Sequence, residues 1–307
     1  MASKLADELL KEILAPPLLV PDELFADTGE VSPFSRATYS AADALLVCKR
    51  WMRVATPALY ETVIIRSTAQ AQALAFALKH NPEFGRYIKK LRIEGAFGAH
   101  LGKIAPFAPN ITDFCFSLAL YADANVNGLV KLMVALDPVR VLLTTAPSKA
   151  VKNKGHSEVL NTLCTRIPKW TKFRTFHYSS SYCGAKQWPY CTECDIYPEI
   201  ALALAQSSSL RAVHLWLQSA IGIPSSAHLA LAGNTMIVDF YVDAGFVLDG
   251  SHLQRFPGTM RSKLRLVRQK AESGDTGAPL SNPFYIPLNN TTAGTRATIW
   301  SRILSHA

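Results

Sequence analysis

No apolar run in the 307 residues approaches the roughly 20 needed to cross a bilayer as a helix. Stretches such as IALALA at 200–205 are far too short, so a helical membrane protein is excluded. A secretory h-region is also missing, because MASKLADELLKEIL is interrupted by Lys4, Asp7, Glu8, Lys11 and Glu12. The six cysteines (Cys48, Cys115, Cys164, Cys183, Cys191, Cys194) are therefore expected as free thiols in a reducing, intracellular setting, cytoplasmic or nuclear.

Catalytic signatures are equally scarce. G-x-S-x-G and H-E-x-x-H occur nowhere, and the eight histidines are scattered. Glycine-rich dinucleotide loops are lacking. Gly98-Ala99-His100-Leu101-Gly102-Lys103-Ile104 follows a strand-like run, where a phosphate loop would sit. It is one residue short of G-x4-G-K-[ST] and has no hydroxyl for magnesium, so it reads as a turn. No catalytic residue, metal ligand or cofactor is assigned, and the chain is read as a non-enzyme.

Material for a core is plentiful, with 49% hydrophobic residues in a chain long enough for about two domains. The net charge of +9 is uneven. Residues 1–66 hold 7 Lys/Arg against 9 Asp/Glu, residues 67–231 hold 17 against 9, and residues 232–307 hold 8 against 5. A basic body attracts acidic proteins or nucleic acid, and charge alone names neither.

Apolar residues Leu5, Leu9, Leu10, Ile13 and Leu14 recur at helical spacing, with Pro16 and Pro17 expected to end the helix. Residues 21–40 read as a loop, a second helix is expected over 41–52 with Pro57 as its breaker, and ALYETVIIR passes into a strand. From residue 67 a helix–turn–strand unit recurs five times, in one order. Its strand centres are Leu91, Phe114, Val141, Phe176 and Val213, at steps of 23, 27, 35 and 37 residues. The expected fold is α/β, an irregular leucine-rich-repeat-like helix–strand solenoid over 67–231 behind a helical module over 1–66. An ordinary α/β domain is the alternative. Beyond 231 lies a basic and polar C-terminal region, 232–307, expected to be partly disordered; it opens with one strand candidate, MIVDFYV at 236–242, and continues into a basic stretch, Arg255 to Lys270, with six Lys/Arg and no acid.

The segments LADELLKEIL (5–14) and LLVCKRW (45–51), the latter followed by ATPALY (55–60), resemble the two halves of the F-box, in particular as carried by the expanded set of F-box proteins in mushroom-forming fungi. The 32 residues between Leu14 and Val47 exceed the family's usual gap, and extra surface loop costs little closure entropy. The resemblance implies docking onto the Skp-family adaptor of a cullin-RING (SCF-type) ubiquitin ligase through Leu5, Leu9, Ile13, Leu14, Leu46, Val47 and Trp51. The chain would then recruit target proteins and perform no bond chemistry itself.

Two further constellations stand in the insertion at 179–198. Cys183, Cys191 and Cys194 form C-x7-C-x2-C, with His177 six residues before the first of them, which leaves a zinc or redox protein as an alternative. Tyr182, Trp188, Tyr190 and Tyr197 are aromatics of the kind that anchor protein interfaces, and are the candidates for target contact. A basic nucleic-acid-binding protein is the remaining alternative.

Overall fold

Short runs of β-branched and aromatic residues, four to six long, become strands here, and each is preceded by a helical stretch. The computed structural model describes residues 5–28, 32–35, 41–144, 153–179, 196–217, 226–244 and 254–267. Its strands are β1 (Thr62–Ile65), β2 (Lys90–Ile93), β3 (Asp113–Ser117), β4 (Arg140–Thr144), β5 (Thr175–Ser179), β6 (Ala212–Leu217), β7 (Asp239–Ala244) and β8 (Leu264–Val267). They form one sheet in chain order. Every neighbouring pair is parallel. A doubly wound domain would reverse its strand order at a switch point, and this sheet does not.

Register runs through Val63, Leu91, Phe114, Val141, Phe176, Val213, Phe240 and Leu264 as one row. The five expected strand centres all lie in it. Leu91, Phe114, Val141, Phe176 and Val213 are 0% exposed. Strand residues alternate between faces, so this row and Ile93, Phe116, Leu143 and Tyr178 point one way. They meet the buried sides of α4 (Thr68–His80), α6 (Asn127–Ala135), α7 (Lys154–Arg166), α8 (Pro198–Ala205) and α9 (Ser226–Ala232) in one continuous core.

Backbone bonds outside the strands carry the repeat further. Thr112, Val139, Arg174, Arg211 and Val238 each donate an N–H to the residue one repeat back, namely Lys89, Thr112, Val139, Arg174 and Arg211. Side chains tie the repeats as well: buried Trp170 donates from Nε1 to the Leu136 carbonyl at 2.7 Å, and the Asn234 amide donates to the Leu204 and Ser207 carbonyls at 2.9 Å. Such bonds satisfy polar groups that would be costly to bury alone.

Several expectations need correction. The sheet passes residue 231, through β7 in the expected MIVDFYV stretch and β8 inside the basic stretch, because Phe240 and Val242 continue the apolar row that the surrounding polar composition conceals. Residues 268–307 lie outside those described. At the other end, α1 (Asp7–Leu18) contains Pro16 and Pro17, and its last turn closes through Leu19 N–H to Ala15 at 2.9 Å. The expected helix over 41–52 divides into a 3-10 helix (Ala41–Leu46) and α3 (Lys49–Glu61), which continues through Pro57. Buried Ala55 and Ala58 hold α3 on both sides of that proline, so packing overrides local propensity.

Candidate functional site

Two surfaces stand out, one on the N-terminal helices and one on the sheet face opposite α4 and α6–α9. In α1 the helical period divides the leucines: Leu10, Leu14 and Leu18 turn inward and join Leu45, Ala55 and Ala58 in a small cluster of their own. The opposite side remains uncovered, with Leu5, Leu9 and Ile13 at 37%, 56% and 57% exposure. Leu46 and Val47, at the end of the 3-10 helix that touches α1, are 49% and 61% exposed. The module is closed by charge, since Asp7 accepts from Arg50 at 2.8 Å and Arg53 at 2.7 Å, while Arg50 also donates to the Leu5 carbonyl. A hydrogen bond from Arg50 is the largest influence holding the Asp7 carboxyl below its ordinary pKa.

Of the seven expected docking residues, five are thus exposed. Leu14 is not available: it is 4% exposed, inside the module's own core. Its spacing of one residue from Ile13 sends it to the other helix face, which a linear motif does not reveal. Trp51 is half-buried and packs on that core.

The second surface is built from residues one position after each strand centre: Ile64, Arg92, Cys115, Leu142, His177, His214, Tyr241 and Arg265 form its row. Three of its residues, Arg92, Cys115 and Leu142, are covered by the segment that follows α1. There α2 (Asp22–Phe25), a single helical turn, lays Phe25 on Cys115 and Leu142, with Val20 and Ala26 alongside. Phe25 is 0% exposed, which corrects the reading of 21–40 as loop.

Charge locks the turn in place. Asp22 pairs with Lys90 at 2.7 Å and with Arg140 at 2.6 Å, and Arg140 also reaches Asp113. Hydrogen bonds from Arg140, then Lys90, hold the Asp22 carboxyl well below the usual carboxylate range, against burial, which acts the other way. Buried Arg92 donates to the Phe25 carbonyl at 2.8 Å, to the Asp27 carbonyl, and to Glu94 at 2.8 Å. Further on, Ser32 donates to Glu94 and Arg66 to the Phe34 carbonyl. Under Phe25, burial pushes the Cys115 thiol up to about 12, so it is no nucleophile.

Past β4 the face carries rings. His177 and His214 lie 5.0 Å apart, and His214 stacks on Tyr241 at 4.3 Å. Burial, then His214 and Arg140, lowers His177 to about 4, and burial and Arg140 lower His214. Both rings are neutral at physiological pH. His177 entered the sequence reading only as an imidazole near the cysteine cluster, and His214 and Tyr241 not at all, although each follows a residue of the central apolar row by one, so the register itself carried the signal.

Of the target-contact candidates, Tyr182, Trp188 and Tyr190 lie outside the described residues, as do Cys183, Cys191 and Cys194. Tyr197 is packed: it caps α8, its hydroxyl is 3.3 Å from His156 Nε2, and it rests on the core. Gly98–Lys103 is a 3-10 helix whose Leu101 is fully covered, a repeat element as expected. Among the described residues no three His, Cys, Asp or Glu side chains are grouped to hold a metal ion, and no helix is long and apolar enough to cross a membrane. Compared with protein-family models and with curated proteins, the chain matches none.

Proposed function

We propose that this chain is the target-recognition subunit of an SCF-type ubiquitin ligase: its N-terminal helices dock on a Skp-family adaptor, and its leucine-rich-repeat-like sheet receives the target. One observation carries the reading. Leu5, Leu9, Ile13, Leu46 and Val47 are left exposed by helices whose other apolar residues fill the module's core, and these are residues the F-box resemblance assigns to adaptor contact. A covered leucine or isoleucine contributes on the order of 1.5–3 kcal/mol, and several together offset the cost of association.

The protein would supply proximity, holding a target near a ubiquitin-charged enzyme provided by the complex. Nucleic-acid binding is less well supported, since Lys90, Arg92 and Arg140 on the sheet are already paired with Asp22, Glu94 and Asp113 and are not free for phosphates. The test is co-purification with a Skp-family adaptor. Leu9→Asp with Ile13→Asp, each placing a charge in the apolar contact, should abolish it while the repeats stay folded; equal recovery by both chains would refute the reading.

A further inference from the structure

The turn Asp22–Phe25 occupies the sheet as a ligand would. It adds no strand, for no backbone pairing joins it to β2, β3 or β4. Its hold consists of an acid on Lys90 and Arg140, an aromatic ring three residues later on Cys115 and Leu142, and two carbonyls taken by Arg92. An acid and an aromatic three apart share one side of a helical turn. The receiving groups come from three successive repeats, Lys90 and Arg92 on β2, Cys115 on β3, and Arg140 and Leu142 on β4, and the strap follows directly on α1. The ion pairs are reached by water, with the Asp22, Lys90 and Arg140 side chains 48%, 23% and 24% exposed.

We propose that the sheet face over β2–β4, opposite the core helices, is a recognition site for an acidic segment carrying an aromatic residue three positions after an acid, and that Asp22–Phe25 is its resident, displaceable occupant. A target presenting the same pattern meets the same cations and the same apolar seat. Tethering gives the resident segment a high effective concentration, so an external segment competes with it and only a well-matched one prevails. Beyond Arg140 and Leu142 the face continues directly to Thr175 and His177, in register on β5. A bound segment longer than one turn extends along the ring row. The proposal deepens the receptor role above, and it is tested without any adaptor, so its failure and that of the docking reading are told apart.

Cys115, closed under Phe25, is the natural reporter. The full-length chain with Asp22→Ala is treated with a small maleimide and read site by site by mass spectrometry, with and without a synthetic peptide of residues 19–28. Cys115 in the variant should react at least about tenfold faster than in the wild type, because the strap has lost its anchor and a tethered occupant is displaced by mass action. The peptide should lower that rate again in a saturable manner, and a peptide with both Asp22→Ala and Phe25→Ala should leave it unchanged. Cys164, packed on the helix-covered core, reports on the repeats and should react alike in both chains. Cys115 remaining closed in the variant, or opening only together with Cys164, overturns the proposal and makes the strap a permanent part of the core. An open Cys115 that the peptide does not protect overturns it too.

Discussion

His177 sits on the sheet face with its ring 5.0 Å from His214 and is held neutral down to about pH 4, against an ordinary value of 6.5. The unfolded chain takes up the proton near 6.5, so between that pH and about 4 it binds more protons than the folded protein. Stability therefore falls as pH drops through this window and is unaffected by this residue above it. His177→Gln, which cannot charge, should flatten the slope of melting temperature against pH between 6.5 and 4; an unchanged slope would place the titrating group elsewhere. Asp22 acts in the same direction at lower pH, since its depressed carboxyl contributes only while ionised, and that contribution disappears on acidification below its ordinary 3.8. Half exposed, it contributes modestly.

At the scale of elements, close packing between neighbouring repeats is sharpest where α6 meets the 3-10 helix at 98–103. A Cβ on Gly128 would stand 2.0 Å from the Gly98 carbonyl oxygen, which is backbone and cannot swing aside, whereas one on Gly102 comes no nearer than 3.1 Å to the Lys131 side chain and 3.5 Å to the Gly128 carbonyl oxygen. Gly128→Ala should cost about 1–3 kcal/mol through overpacking, and Gly102→Ala less than about 1 kcal/mol. Denaturant melts of the two variants compare these directly, and equal stability would contradict the packing described. In the docking module, half-buried Trp51 rests on the cluster of Leu10, Leu14 and Leu18. Trp51→Ala should cost about 2–3 kcal/mol, below the roughly 3–5 of a fully covered aromatic, and make residues 5–61 protease-sensitive while the sheet keeps its circular dichroism. Unaltered protease resistance would show that Trp51 contributes nothing to the module.

The elements also show what the sequence could and could not disclose. Strand centres 91, 114, 141, 176 and 213 are legible because period-two alternation and one-sided burial leave a local trace. The helices running through Pro16, Pro17 and Pro57 are not, because burial of Leu18, Ala55 and Ala58 outweighs a propensity that is read locally. Phe25 is the clearest gap: one helical turn has no period to detect, and its partners Cys115 and Leu142 are distant in the chain. Of the residues the resemblance assigns to docking, Leu5, Leu9, Ile13, Leu46 and Val47 are exposed as such a role requires, while the inward turn of Leu14 needed the helix face.

Across the whole molecule, one row of residues faces the helices and the next row faces the strap and the rings, so a single register defines both the core and the receiving surface. The N-terminal helices adjoin β1, and the strap that follows α1 crosses β2, β3 and β4, through Lys90, Arg92, Cys115, Arg140 and Leu142. The two surfaces proposed for adaptor and target are in this way joined through one segment of chain, as the proposed role would require. The central claim, that the exposed apolar residues of the N-terminal helices dock on a Skp-family adaptor, is most directly tested by measuring the affinity of purified adaptor for the wild-type chain and for Leu9→Asp with Ile13→Asp. The account predicts saturable binding that the double substitution eliminates with the melting temperature of the repeats retained; absence of binding by the wild type, or equal binding by both, would contradict it.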